Sequence, residues 1–279
     1  MAASEATAIE AVIDRLEAGD TEAAMSLSTE AGWNQTTDDW HHFISRGRSF
    51  CVRKPEGGLA ASAAALPYDG PFGFVAMVLV TAGWRRRGLA TRLVDCCVDD
   101  LSRMGMTPVL DATEAGAQVY ARQGFVGQFG FDRWQGTLPA SLDMEPAPPV
   151  EAARLAALDA EVAGAGRSAL IADFLARPET IALQAGDGFA LARAGRRATQ
   201  VGPLVAGSEG AALELIQRLF MRLGGLVFID VPNRWQGIAA WLRESGFSIQ
   251  RGFTRMALGR AEPFGQPSRT FALAGPEFG

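Results

Sequence analysis

Val78-Leu-Val-Thr-Ala-Gly-Trp-Arg85-Arg86-Arg87-Gly88-Leu89-Ala90-Thr91-Arg92-Leu93 is the stretch on which the reading of this chain turns. An apolar β-type run from Phe74 to Val80 breaks into a short turn that carries Arg85, Arg86 and Arg87. Gly88 and Ala90 follow, and a helical pattern then sets Leu89, Leu93, Val94 and Cys97 on one face. A strand that ends in a glycine-containing turn and opens a helix aims several free backbone N–H groups at one point. That point lies at the positive end of the helix dipole and suits a phosphate or pyrophosphate. Small residues at 88 and 90 let such a ligand approach the backbone closely. The spacing Arg85-x-x-Gly88-x-Ala90 has neither the Lys-Ser/Thr ending of a P-loop nor the three glycines of a dinucleotide fingerprint. Alone, it equally describes an arginine-rich helix start on a solvated surface.

The residues downstream narrow the choice. Pro108-Val-Leu-Asp111-Ala-Thr113 reads as a short strand, followed by a helix from Glu114 to Gln123. Arg122 in its last turn and Gly124 just beyond make a well-formed helix stop. The string Tyr120-Ala-Arg-Gln-Gly124-Phe125 resembles the Tyr-x-x-x-Gly-Phe hallmark of the GNAT N-acetyltransferase superfamily. The loop resembles that family's Arg/Gln-x-x-Gly-x-Gly/Ala signature, and the two motifs stand in the family's order and separation. The resemblance is strongest over about residues 70 to 130.

It implies an α/β (α+β) fold with a mixed, mostly antiparallel twisted sheet flanked by helices. Acetyl-CoA would be the co-substrate, its pyrophosphate cradled by Arg85, Arg86, Arg87, Gly88, Leu89, Ala90 and Thr91. Backbone along Val78, Leu79 and Val80 would polarise the thioester carbonyl, and Tyr120 would protonate the departing thiolate. Thr113 stands where many members carry an asparagine that contacts CoA. For Tyr120 the competing view is a core-edge phenol bonded to backbone, although a phenol with a pKa of about 10 suits proton donation at neutral pH.

At 279 residues the chain holds material for two ordinary domains. Its apolar fraction is 48%, yet no uninterrupted stretch approaches the ~20 apolar residues of a membrane span. The opening Met1-Ala-Ala-Ser-Glu5 lacks the basic region and apolar run of a secretory signal. Cys51, Cys96 and Cys97 are odd in number, and no Cys/His spacing suits a metal. Together these features predict a cytoplasmic protein with no metal, its cysteines serving as small hydrophobes. A net charge of −5 argues against a general nucleic-acid binder.

The proline-rich stretch from Pro139 through Pro146 and Pro148 to Pro149 has the composition of an interdomain linker. After it the plan repeats in degenerate form. Phe189–Arg193, Gln200–Val205 and Leu226–Pro232 read as strands, while Ala211–Leu223 and Gly237–Glu244 read as helices. Leu110-Asp111…Gly124-Phe125 thereby matches Ile229-Asp230…Gly246-Phe247. Where the first copy has its arginine loop, the second has Ala206-Gly207-Ser208-Glu209-Gly210-Ala211, and Glu209 would repel a pyrophosphate. Aligning Gly124 with Gly246 sets Tyr120 opposite Leu242, which has no proton to give. The chain thus resembles the tandem acetyltransferases in which a degenerate C-terminal unit follows a catalytic one. The expected organisation is a catalytic GNAT domain over 1–138, a degenerate GNAT-like domain over 150–260 and a C-terminal tail over 261–279.

Other residues carry two readings each. Asp111 ends a strand near the expected site and could serve as a base. Its counterpart Asp230 in the other copy favours a shared structural task, such as bonding the N–H groups of the following helix. Trp33 and Asn34, in the early helical region that borders the acceptor pocket in the family's plan, are substrate-site candidates; alternatively Trp33 and Trp40 staple two helices and Asn34 caps one. His41 and His42 are adjacent and would face different sides of a helix, which disfavours a metal pair. Arg193, Arg196 and Arg197 read as a solvated basic hairpin, and Ala61–Leu66 and Ala152–Ala165 as alanine-rich core or helix.

The expected function is acetyl-CoA-dependent acetylation of a primary amine, on a small-molecule or protein acceptor, by direct attack in a ternary complex. Phe74–Val80 supplies no carboxylate, so the general base stays unassigned. A catalytically silent CoA-binding sensor or scaffold is the alternative. No nucleic-acid or membrane partner is expected, and these motifs name neither the acceptor nor an oligomeric state.

Overall fold

The structure, a computed structural model, describes residues 11–141 and 147–279. The opening Met1–Glu5 and, within the linker, Pro146 lie outside the described residues. The first half runs β1 (Ile13–Arg15), α1 (Thr21–Glu30), α2 (Thr37–Arg46), β2 (Arg48–Arg53), β3 (Leu59–Pro67) and β4 (Phe72–Val80). It continues through α3 (Leu89–Arg103), β5 (Thr107–Ala112), α4 (Glu114–Arg122) and β6 (Phe125–Leu138). The second half follows with α5 (Ala152–Ala163), α6 (Ser168–Ala176), β7 (Ile181–Ala185), β8 (Gly188–Arg193), β9 (Thr199–Val205) and α7 (Glu209–Phe220). Last come β10 (Gly225–Pro232), α8 (Gln236–Glu244), β11 (Ser248–Leu258) and β12 (Thr270–Ala272).

The alanine-rich run at 61–66 is a strand, not a helix, because it is buried on both faces. Ala61, Ala63 and Ala65 meet Leu89, Leu93 and Cys97 of α3, whereas Ala64 and Leu66 meet Leu27, Trp40 and Phe43 of α1 and α2. The period of two is that of a strand, and small side chains let helices sit close on either side. Gly73 on β4 follows the same logic: a Cβ there would lie 2.3 Å from the Leu101 Cδ2 of α3.

The two halves share one twelve-stranded sheet, in the order β1-β2-β3-β4-β5-β11-β6-β10-β9-β8-β7 with β12 beside β9. Each half has given a strand to the other. β11 of the second half pairs with β5 of the first, and β6 of the first pairs with β10 of the second, all antiparallel. β6 and β11 also pair with each other, and their phenylalanines Phe131 and Phe253 stack at 5.1 Å at the centre of that contact. Around this point the matching residues of the two copies fall in symmetric places.

Asp111 and Asp230 show what their shared position does. Arg255 of β11 donates to both Asp111 oxygens at 2.8 and 2.7 Å, and Arg133 of β6 does the same to Asp230 at 2.8 and 2.7 Å. The task is structural, but it is a cross-strand ion pair that locks the exchanged strand, not a helix cap. Thr113 is the residue that caps α4, its Oγ1 accepting from Gly116 N at 3.3 Å.

Below the sheet, α1 and α2 of the first half and α5 and α6 of the second bury side chains in one common core. The chain's end joins it: Phe278 is fully buried, stacked on Phe43 at 4.9 Å and edge-on to Phe174 at 5.2 Å. No helix among the described residues is long and apolar enough to cross a membrane.

Candidate active site

β4 and β5 run parallel only through Phe72–Thr107, Gly73–Pro108 and Phe74–Val109, after which their pairing stops. The parting is helped by a bulge. Ala61 and Ser62 of β3 pair with Val80 and Leu79, and Ala64 pairs with Ala76, so Met77 and Val78 together oppose Ala63. Met77 takes a positive φ of 54°, a conformation held in place where Ser62 Oγ donates to its carbonyl at 2.8 Å. The result is a V-shaped opening in the sheet, lined by Val75–Val78 on one side and Leu110–Thr113 on the other.

The loop at the mouth of this opening has the features of an anion cradle. Gly88, at φ 74°, is the N-cap of α3 and offers no capping side chain. Within the described residues, the backbone N–H groups of Arg86 through Thr91 have no hydrogen-bond acceptor, the first helical bond being Arg92 N to Gly88 O at 3.1 Å. Nothing lies within 4 Å of where a Gly88 Cβ would stand. Consecutive unpaired N–H groups at a helix start are what a pyrophosphate needs.

The three arginines do not act as one cluster. Arg85 Nε donates to Val80 O at 3.1 Å, and Arg87 donates to Gly83 O at 3.0 Å with its guanidinium 4.9 Å over Trp84. All three are exposed, and Arg86, at φ 61°, is the one with no such engagement among the described residues. Arg85 also lines a groove with Trp33 and Val78–Thr81 that leads from the loop toward the opening.

Tyr120 sits at the inner end. Its ring lies over Gly116, where a Cβ would come within 3.3 Å, and packs edge-on to Phe125 at 6.1 Å. No described residue bonds its hydroxyl, which leaves the backbone-bonded alternative without support. Burial pushes the phenol up to about 12, so it holds its proton at neutral pH. Thr113 Oγ1 is committed as an acceptor to its cap but can still donate. The cavity around these groups is about 190 Å³, and both halves line it.

Trp33 and Asn34 border the cavity, yet their polar groups are largely taken. The Asn34 amide donates to Ala198 O at 3.1 Å and accepts from Arg197 N and Ala198 N at 2.9 and 3.0 Å. Arg196 donates twice to Trp33 O, at 3.0 and 2.6 Å, and Arg197 Nη1 donates to Gly32 O at 2.7 Å. The basic hairpin is exposed at Arg196 and Arg197, as a solvated turn would be, but it also clamps the two halves together. Asn34 does not cap α2, because Thr36 does so in a reciprocal box with Asp39. Trp40 is fully buried, with Nε1 donating to Ser28 Oγ at 3.0 Å, which is the staple. Arg193 is likewise buried, donating to Gly202 O at 3.2 Å and to Glu277 Oε1 at 3.3 Å.

Glu277 and Gln35 are cavity residues that sequence reasoning did not reach. Both are buried, and burial pushes the Glu277 carboxyl up to about 7. The available signal was a lone acid between Pro276 and Phe278 in an otherwise apolar tail. No group of His, Cys, Asp and Glu among the described residues is arranged to hold a metal ion. All three cysteines are free, Cys51 and Cys97 buried and Cys96 half-buried.

The second half's counterpart of this opening is closed. β9 and β10 also run parallel and then stop pairing after Val201–Ile229. The gap is filled by the chain's own tail: β12 pairs with Leu204 and Val205 of β9, and Leu273 N donates to Asp230 O at 2.9 Å. Trp235 Nε1 donates to Thr270 O at 2.6 Å, and its ring stacks on Phe271 at 4.2 Å. The helix start is occupied too, since Ser208 Oγ accepts from Ala211 N at 3.2 Å. Glu209 accepts from Ile238 N at 3.0 Å and so caps α8. Leu242, opposite Tyr120 in the alignment, is fully buried in the core.

Residues 13–125 match the model of the acetyltransferase (GNAT) family, and residues 155–272 match that of an acetyltransferase (GNAT) domain. No curated protein matches the sequence. Among solved structures, a candidate acetyltransferase from Pyrococcus horikoshii is similar over 100% of this chain and 99% of its own, at 16% identity and a TM-score of 0.80. A GCN5-related N-acetyltransferase from Sphaerobacter thermophilus is similar over 93% and 98% of the two chains, at 16% identity and a TM-score of 0.59. A tandem GNAT protein from the clavulanic acid biosynthesis pathway gives 89% and 98%, with 16% identity and a TM-score of 0.59. At these identities the likeness is one of fold.

Proposed function

We propose, for a chain that belongs to the GNAT acetyltransferases in both its halves, that it carries an acetyl group from acetyl-CoA to a primary amine using the first half's opening alone. The observation that carries this reading is the run of unpaired N–H groups from Arg86 to Thr91, set at the mouth of a sheet opening that ends at Tyr120. A pyrophosphate fits the cradle by charge and by space. Open room stands in front of Gly88, and α3 presents its positive end there. Arg86 supplies a free cation beside it, while Arg85 and Arg87 hold the loop's shape. The groove past Val80, Leu79 and Val78 would then lead the pantetheine arm to the cavity, with Thr113 at its edge.

In the ternary complex the neutral amine attacks the thioester carbon and the C–N bond forms. Backbone N–H at the bulge around Val78 would stabilise the oxyanion, and the C–S bond then breaks. The leaving thiolate takes its proton from Tyr120. Trp33 and the clamp beneath it wall the acceptor side, so an amine on a small molecule or on an exposed protein side chain is the class that fits. The free thiols suit a reducing cytoplasm.

The test is Tyr120→Phe in the full chain, following release of free thiol with a panel of amines. Acetyl-CoA affinity should hold while turnover falls ~10²-fold or more, the scale of a lost general acid. Turnover at the native rate would return Tyr120 to a packing role. An unaltered protein that binds acetyl-CoA and turns over no amine would favour the silent sensor or scaffold, the alternative suggested by the missing carboxylate on β4.

A further inference from the structure

The tail that plugs the second half also delivers a carboxylate to the first half's site. Leu273 is held by Asp230 O, and Phe278 is held in the core beneath α2 and α6, so the short bridge between them has little freedom. Gly275, at φ 124°, lets the Glu277 side chain fold close: a Cβ at 275 would stand 2.7 Å from Glu277 Oε1. Glu277 itself is 8% exposed and lines the cavity that contains Tyr120. Arg193 donates to its Oε1 at 3.3 Å, and no described residue donates to its Oε2.

Gln35, 5% exposed, lines the same cavity, and its Oε1 is buried with no hydrogen-bond partner. A buried acceptor without a donor is costly and calls for an explanation. The Glu277 carboxylate, one oxygen of which has no protein donor among the described residues, thus lines the same cavity as the unbonded Tyr120 hydroxyl. A primary ammonium group brings three N–H donors and a positive charge.

We propose that Glu277 is the general base that takes the proton from the acceptor's ammonium group. The inference rests on the N-acetyltransfer reading above. Glu277 removes one proton and leaves a neutral amine, whose lone pair forms the C–N bond. The C–S bond breaks toward sulfur, and the thiolate takes the Tyr120 proton. The second proton on nitrogen returns through water to the tyrosinate, and Glu277 gives its proton to solvent, so one acetyl group and one net proton are released per cycle.

The electrostatics suit the task. Burial is the largest influence on Glu277, opposed by Arg193 of β8 and Arg133 of β6 and reinforced by Asp39 of α2 and Asp230 of β10. A carboxylate near 7 is a far better acceptor for an ammonium of about 10.4 than an ordinary one near 4.3. The transfer is uphill by roughly 10³ instead of roughly 10⁶. It is also still ionised in a large fraction of molecules at neutral pH, and that fraction rises as pH rises through about 7.

The experiment compares the native full chain with Glu277→Gln, which keeps the size of the side chain and an acceptor for Arg193. Two probes are used: spermidine as a high-pKa amine, and hydroxylamine, which is already neutral at pH 7. With spermidine, kcat/KM at pH 7 should fall about 10²-fold, and the deficit should shrink as pH approaches the amine's own pKa. With hydroxylamine the rate should stay within about threefold of native. Equal losses with both probes at every pH, or no loss with spermidine, would overturn the assignment while leaving acetyl transfer standing. Carboxyl-carbon NMR needs no acceptor: the native chain should show a carboxyl titrating near neutral pH that Glu277→Gln lacks. Absence of that signal from the native chain would also defeat the proposal.

Discussion

The two halves start from the same sheet, and the same pair of parallel strands parts in each, yet only one gap is open. Between β4 and β5 the parting leaves a cavity, a bulge at Met77–Val78 and a helix start with unpaired N–H groups. Between β9 and β10 a strand of the tail has moved in, Ser208 has capped the helix and Glu209 has become a cap for α8. The second gap is closed by the chain's own tail, through backbone pairing and the packing of Trp235 on Phe271. The gap between the strands has become core, and at the helix start Ser208 Oγ holds Ala211 N while Glu209 is turned to α8. The closed half is no bystander, for its plug ends in Glu277, and its hairpin holds the loop of Trp33 and Asn34.

The severest way to break the comparison is to separate its terms. A fragment ending at residue 145 keeps β6 but removes both strands that flank it, and it strips β11 from β5. It also exposes the core shared by α1, α2, α5, α6 and Phe278. Such a fragment should be insoluble or inactive, and co-expression with the remainder should restore a soluble, active pair. Size-exclusion chromatography and thiol release read the outcome. A soluble, monomeric fragment as active as the whole chain would show the exchange to be dispensable.

A smaller cut tests the loops alone. Gly88→Asp places charge and bulk in the cradle and should abolish acetyl-CoA binding, whereas Gly210→Asp, on an exposed helix start with open space around it, should leave affinity unchanged. Calorimetry should find one site per chain in the native protein and in Gly210→Asp. Two equivalent sites would mean that the plug in the second half yields to ligand.

The strands, helices and loop of the first half were legible because their signals are local: periodicity, a helix stop at Gly124, a glycine before α3. The repeat was legible from the match between Asp111…Gly124-Phe125 and Asp230…Gly246-Phe247. What stayed hidden depends on pairing between distant residues. Nothing near Asp111 says that Arg255 will meet it, and the basic hairpin at 193–197 looks solvated until its partner at 32–34 is known. Glu277 was invisible for the same reason, since its burial comes from elements hundreds of residues upstream. Tyr120 can be singled out as a candidate from the sequence because its position in a helix-stop motif is a local fact.

The finest distinction between the halves lies in their matched ion pairs. Asp111 and Asp230 are fully buried carboxylates, each clasped by an arginine on the exchanged strand. Asp111 borders the cavity and Asp230 lies under the plug. Breaking a buried pair leaves an uncompensated arginine, so Asp111→Asn and Asp230→Asn should each cost about 3–5 kcal/mol. For a chain of this size that corresponds to a fall in melting temperature of roughly 6–20 °C. The folded fraction of Asp111→Asn should keep a thiol-release rate within about threefold of native, because both Asp111 oxygens are already committed to Arg255 and have no share in proton transfer. Calorimetric melting and turnover below the transition separate the two roles. A large loss of turnover in Asp111→Asn at unchanged melting temperature would make Asp111 the base after all, and with it Glu277 would lose its part.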